Sequence, residues 1–318
     1  MWRNEAGAPW LGPGRDAGSR LVPTITLGLD SLGTIALRRA TSHDGRVWMR
    51  RNWGGCEAMS RRLIWALALG VAASTLGAAV ISTTTAAVPA VTTSSTTIAT
   101  DAGPRPLHMI RIVPGRGVRL EAVWLGGGPG RTGTVGGYIR ANTGRGAVAG
   151  LNGDFFLLAR NVPSGNLLIH KGRSFLGGTN RGAAAFGADG SVEIVPGNVK
   201  DADLLQAGVR EAISGKPVYV HDGRLGALTT LEPYQRDHAY HRTAVGRLRN
   251  GQTALVVIGG AGTTAPQFAQ ALIRLGFVEA LGMDIDSSAN INWRGASLNR
   301  PDYQRLIPTG IIAVRRGG

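Results

Sequence analysis

From residue 105 onward the apolar runs are short, and Gly, Asn, Asp and Pro separate them. Runs of that kind predict strands joined by tight turns. Residues 108–113 and 118–124 flank Pro114, Gly115 and Gly117 and are expected as paired strands. Residues 147–151 form a short buried strand entering Asn152-Gly153. Lys171-Gly172, Asp189-Gly190, Asp222-Gly223 and Asn250-Gly251 each sit between apolar runs and mark four hairpins. Residues 202–207 suggest a short helix. The pattern changes after residue 258. Thr264 can cap a helix, Pro266 suits its first turn, Phe268, Leu272, Ile273 and Leu275 make an apolar face, and Gly276 ends it. A second apolar run over 278–285 follows, so residues 253–286 read as strand, helix, strand. The expected fold class is α+β. Its sheets are mixed but mostly antiparallel, its helices few, and its one strand–helix–strand crossover lies near the C-terminus.

The N-terminal third has a different character. Residues 1–58 show no sustained period and are expected to be disordered, or to precede the true start. At Met59 a basic pair, Arg61-Arg62, leads into an apolar stretch and then small residues up to Ala90. That order is the signature of a signal peptide or signal anchor over 59–90. Residues 63–81 are long enough to anchor the chain in a bilayer. Thr, Ser and Ala dominate the next stretch, so 91–104 is expected as a linker and 105–318 as the folded domain. The protein is therefore expected to be secreted or extracytoplasmic, touching membrane only through the N-terminal segment.

The chain carries a net charge of +15, and Lys171, Lys200 and Lys216 are its only lysines. Nucleic-acid binding calls for basic clusters interleaved with aromatics, whereas these arginines are scattered, so nucleic acid is not an expected partner. Cys56 is the only cysteine, which excludes a disulfide framework and a Cys-based zinc site.

Two stretches concentrate chemistry. Asn152-Gly153-Asp154-Phe155-Phe156 places a carboxylate beside an aromatic pair, a combination suited to a sugar ring and its glycosidic oxygen. In an extended strand, Asp284 and Asp286 would share one face. Like charges so placed repel unless a proton, a cation or a substrate lies between them. Asp154, Asp284 and Asp286 are thus the candidate acids and bases. Asp286, with Ser287 or Asn290, could also ligate a divalent cation such as calcium or magnesium. Thr179-Asn180-Arg181 and His241-Arg242 offer donors for a phosphate. Gly260-Ala261-Gly262-Thr263-Thr264-Ala265 fits a dinucleotide fingerprint, with Asp284 about twenty residues on. The upstream hairpins and the short remainder of the chain argue against that fold.

In this order, the motifs resemble the phosphodiester glycosidase family. Asn152 to Phe156 match its Asn-Gly-x-aromatic-Phe motif. The stretch from Pro163 through Gly165 to Gly172 resembles its Pro-x-Gly hairpin. Arg242-Thr243-Ala244-Val245-Gly246 resembles its Arg-Thr-Ala-x-Gly strand. Leu281 to Ser288 resemble its Leu-Asp-Gly-Gly-Gly-Ser-Ser motif, with Ile285 and Asp286 where the family has glycines. The resemblance implies an exported hydrolase acting on a sugar-1-phosphodiester or phospho-glycan. Asp154, Asp284 and Asp286 would be its catalytic residues, and Asn152, Phe156, Asn180, Arg181, His241, Arg242 and Ser287 would bind substrate. A non-catalytic glycan-binding module on the same fold, and a dinucleotide-binding enzyme, are the alternatives.

Overall fold

The structure is a computed structural model that describes residues 89–300 and 303–317. The segments 1–58 and 63–81, with most of the expected signal region, lie outside the described residues. The chain runs β1 (Val91–Ile98), β2 (Arg105–Ile112), β3 (Val118–Trp124), α1 (Val135–Ala141) and β4 (Ala147–Asn152). It continues with β5 (Leu168–His170), β6 (Gly182–Phe186), β7 (Val192–Val195), α2 (Asp201–Gln206), β8 (Glu211–Gly215) and β9 (Val218–His221). Then come α3 (Pro233–Asp237), β10 (Tyr240–Leu248), β11 (Thr253–Thr263), α4 (Ala265–Arg274), β12 (Phe277–Gly282), β13 (Ile291–Trp293) and β14 (Thr309–Arg315).

Three larger antiparallel sheets result, beside two short ribbons that pair Phe156–Leu157 with Val162–Pro163 and Gly178–Thr179 with Val199–Lys200. The first has the order β1-β2-β11-β10-β12-β9 and ends on the short strand Arg224–Leu225. The second runs β13-β4-β14-β3, with Ala296–Ser297 beside β13. The third runs β7-β6-β8-β5, with Arg173–Ser174 beside β5. All four expected hairpins form. The crossover forms as well: β11 and β12 flank β10, and α4 joins them. The architecture is α+β.

Alternation along the strands places the core. One face of each sheet meets the others in a central cluster that includes Ile110, Val245 and Leu255, Leu120, Leu151 and Ile311, and Leu168, Ala184 and Ile213. The outer face of the first sheet is covered by Phe268 and Leu272 of α4. Val135 and Ile139 of α1 cover the second sheet, and Leu204 of α2 covers the third.

One sequence expectation needs correction here, and one alternative falls away. Residues 91–98 are a strand, not a linker: β1 pairs with β2 along its whole length, from Val91 opposite Ile112 to Ile98 opposite Arg105. Its Val, Thr and Ile side chains favour extended backbone, and the ladder satisfies that backbone. The folded unit therefore includes Val91 rather than starting at Arg105. The dinucleotide fingerprint is an antiparallel strand end, with no parallel sheet behind it among the described residues. Gly262 sits at φ 74°, and a Cβ there would collide with the backbone of Tyr240. Its glycine serves that close approach, not a phosphate.

Candidate active site

The ends of strands from all three sheets converge on one place. Gly215, at the end of β8, lies so close to Gly282, at the end of β12, that a Cβ on Gly215 would strike the Gly282 carbonyl. Just beyond β12, the Asp284 amide donates to the Gly153 carbonyl at 2.9 Å. Asn152 Nδ2 donates to the Asp284 carbonyl at 2.8 Å, and Thr243 Oγ1 donates to the same oxygen at 2.9 Å. Asn152 Oδ1 in turn accepts from the Asn290 amide at 3.1 Å. Asn152 is thus a fully buried strut. It stitches the two candidate motifs together and has no face left for the substrate it was expected to bind.

Asp154 follows that strut, and its side chain is 0% exposed. Oδ1 accepts from the Phe155 amide at 2.8 Å. Oδ2 accepts from the Gly165 amide at 2.9 Å and from the Ser214 hydroxyl at 2.7 Å. Arg181 Nη1 stands 3.8 Å from Oδ1 and donates to Ser164 Oγ at 2.9 Å. Burial pushes the Asp154 carboxyl up, against the pull of Arg181, Ser214 and the two amides. Every partner is a donor, which favours the carboxylate. Asp154 anchors the Ser164-Gly165 turn and Arg181, and it is too enclosed to be the acid or base expected from its motif.

Asp284 differs. It is buried as well but has fewer donors, and desolvation pushes its carboxyl up to about 7. The nearby Ser288 hydroxyl and the Ile285 amide, which donates to Oδ1 at 2.9 Å, pull the other way. The charge of Asp154 adds to the rise, and Arg305 opposes it. Ser288 Oγ is buried with no partner of full hydrogen-bond geometry. A carboxyl poised near neutrality is fit for proton transfer.

Asp286 is not its twin. β12 ends at Gly282, and Asp286 opens a 3-10 turn, Asp286–Ser288, at φ 55° with its carboxylate 57% exposed. The strand reading fails because the extended backbone stops before the pair. The left-handed φ at Asp286 falls where the family motif has glycine. Its nearest charged partner is His241 Nδ1, at 4.0 Å. A cation at Asp286 does not fit this structure. Ser287 Oγ accepts from Arg305 Nη1 at 2.6 Å, and the Asn290 amide is shared between Ser297 and Asn292. No second carboxylate joins them among the described residues.

Arg242 also has another role than expected. It is fully buried. Nε donates to the Thr263 carbonyl at 2.6 Å, and Nη2 donates to Gln235 and His238 carbonyls at 2.6 and 2.9 Å. Nη1 reaches the Tyr219 hydroxyl at 3.3 Å. The guanidinium clamps the end of β11 to α3 and is not free for phosphate. His241 Nε2 bonds the Gly260 carbonyl at 2.6 Å, and burial lowers its pKa.

The free cationic chemistry comes instead from residues the sequence reading passed over. Arg305 lies over the Phe156 ring at 5.4 Å and touches Ser287, bringing those two expected residues to the Asp284 side. Lys216 directly follows β8. Its Nζ lies 5.1 Å over the Phe155 ring and donates to Gln235 Oε1 at 3.2 Å. Asn180 and Arg181 line a pocket of about 600 Å³ with Lys216. Only the Pro-x-Gly motif pointed toward Gly165; nothing local in sequence marks Ser214, Lys216 or Arg305.

A family model for phosphodiester glycosidases, NAGPA, matches residues 145–314, a span from before Asp154 to beyond Arg305. The chain belongs to the phosphodiester glycosidase family. Solved structures with a similar fold include the following two. One is the catalytic domain of zebrafish N-acetylglucosamine-1-phosphodiester alpha-N-acetylglucosaminidase, auto-inhibited by its pro-peptide. It is 19% identical with a TM-score of 0.61, covering 73% of this chain and 85% of that one. The other is a hypothetical protein from Synechocystis, 18% identical with a TM-score of 0.61, covering 71% of this chain. The match spans 62% of the Synechocystis chain. No curated protein matches the sequence.

Proposed function

We propose that this phosphodiester glycosidase is an exported hydrolase that cleaves the bond between a sugar's anomeric carbon and the phosphate oxygen of a sugar-1-phosphodiester. The observation that carries the proposal is the Asp284 carboxyl, pushed up to about 7 by desolvation, with Arg305 and Lys216 near enough for charges to interact and Arg181 beside neighbouring Asp154. In the reaction, water adds to the anomeric carbon as its bond to the phosphate oxygen breaks. The sugar leaves with a hydroxyl, and the phosphate leaves as a monoester of its alcohol. Asp284, as carboxylate, takes the proton from that water. Arg181 stabilises the negative charge that grows on the departing phosphate. Asp154 holds Arg181 in place. Export rests on the basic, apolar and small-residue order over 59–90. It places the substrate among the sugar-1-phosphodiesters of the cell envelope or its surroundings, and the charge of +15 suits anionic polymers there.

The test is sugar release by the full chain from UDP-N-acetylglucosamine and from a simple N-acetylglucosamine phosphodiester, with and without calcium or magnesium. Release should fall at least about 100-fold in Asp284→Asn. For a base, kcat/KM should climb as pH rises and level off above about 7. No release under any condition, or release indifferent to Asp284→Asn, refutes the proposal.

A further inference from the structure

Resting on that reading, we propose that Lys216 and Arg181 hold the phosphate of the substrate, and that the pocket opening from this pair receives the esterified alcohol, which has an aliphatic body rather than a second sugar.

The cationic pair comes first. Lys216 is a buried amine whose only side-chain hydrogen bond among the described residues goes to a neutral amide, Gln235 Oε1. No carboxylate lies within ion-pair distance of it among those residues. An ammonium drawn out of water whose counter-charges, Asp154, Glu232 and Asp284, make no direct ion pair with it is costly, and the cost is recovered when an anion arrives. Arg181 spends Nη1 on Ser164 and, more distantly, on Asp154, leaving its other N–H groups without a partner among the described residues. Two side chains of this kind fit a doubly esterified phosphate, which keeps one negative charge and two free oxygens.

The pocket wall gives the rest. Beyond Lys216 and Arg181 its lining is mostly apolar surface, from residues that include Pro196, Val218, Leu225 and Ala227, with polar groups such as Asn180, Asp222 and Thr230 among them. Leu225 is 52% exposed, an apolar side chain left in water at the mouth. A sugar site ordinarily offers aromatic faces and several polar groups at fixed angles. This lining contains no Trp, Tyr or Phe. Phe155, under Lys216, packs against the core below the first sheet and is not part of this lining, whereas Phe156 lies under Arg305 near Asp284. The sugar then belongs with Phe156 and Arg305, and the alcohol with Leu225 and Val218.

The experiment measures binding of product-like monoesters to the full chain by calorimetry, so that it does not depend on turnover. The probes are n-hexyl phosphate and glycerol 1-phosphate. Hexyl phosphate should bind at least about tenfold more tightly, in keeping with burial of added methylenes. Lys216→Gln should weaken both at least about tenfold, and Lys216→Arg should restore most of the loss. Leu225→Asp, at an exposed position, should erase the difference between the two probes whether or not Lys216→Gln folds. Equal affinities, or a preference that survives Leu225→Asp, overturn the aliphatic subsite. Binding indifferent to Lys216→Gln overturns the phosphate role. If hexyl phosphate binds as expected but no sugar phosphodiester is hydrolysed, the subsite stands and the hydrolase reading falls. If sugar is released but glycerol phosphate binds as tightly as hexyl phosphate, the reverse holds.

Discussion

Asp284→Asn should make the protein more stable at neutral and alkaline pH while removing its activity. Burial raises the folded-state pKa of this carboxyl from 3.8 to about 7. A carboxyl whose pKa is raised on folding holds its proton more tightly in the fold. The stability this contributes is fully present below about pH 4 and is lost as pH rises through about 7. At about 1.4 kcal/mol per pH unit, the full effect is about 4 kcal/mol, of which about 3 kcal/mol falls between pH 5 and 8. Asparagine has nearly the same shape and can still accept from the Ile285 amide, but it carries no charge to desolvate. The assay is thermal unfolding of both proteins at pH 5, 6, 7 and 8 in one buffer ionic strength. For a domain of this size the melting-temperature gap should widen in favour of the variant by about 6 to 12 °C across that range. Groups common to both proteins, such as His241, cancel in the difference. A gap that stays constant from pH 5 to 8 would show that Asp284 ionises as an ordinary surface carboxyl, and the argument for its role would go with it.

Other outcomes follow from contacts at the same place. Gly165→Ala puts a methyl against Asp154 Oδ2 and Ser214 Oγ, and should cost at least about 2 kcal/mol in urea unfolding. Arg242→Met strands the buried Thr263, Gln235 and His238 carbonyls. It should cost about 3 kcal/mol, with Arg242→Lys recovering little, and phosphate affinity measured on the surviving fold should change less than about threefold. Removing residues 1–100 takes β1 away and exposes the edge of β2. That protein should associate at micromolar concentration in light scattering, whereas one starting at residue 89 stays monodisperse.

Much of the architecture was legible in sequence because its signals are local. Each hairpin has its own Gly-containing turn, and α4 has its cap, its proline and its apolar face within a few residues. The exceptions rest on contacts between segments. β1 is rich in Thr and Ser, like a linker, and its strand character rests on pairing with β2. Helix α1 contains Gly136-Gly137, poor helix formers. Gly136 is there because a Cβ would collide with Asn292 and with the Gly295 carbonyl.

The sequence by itself determined which residue types were available: the family motifs, the strand-rich pattern and the acidic and basic candidates. It could not rank them, since a side chain's role depends on what encloses it. Asp154, Asp284 and Asp286 look alike in a string of letters. In three dimensions one is saturated by donors, one is desolvated beside a like charge, and one stands in water. Arg242 and Lys216 were separated in the same way. The arginine meets four oxygens, three of them backbone carbonyls, while the lysine meets one neutral amide beside an open pocket. Burial and hydrogen-bond partners set pKa and free valence, and both come from segments distant in sequence. Only the meeting of three sheets at Gly153, Gly215 and Gly282 decided them.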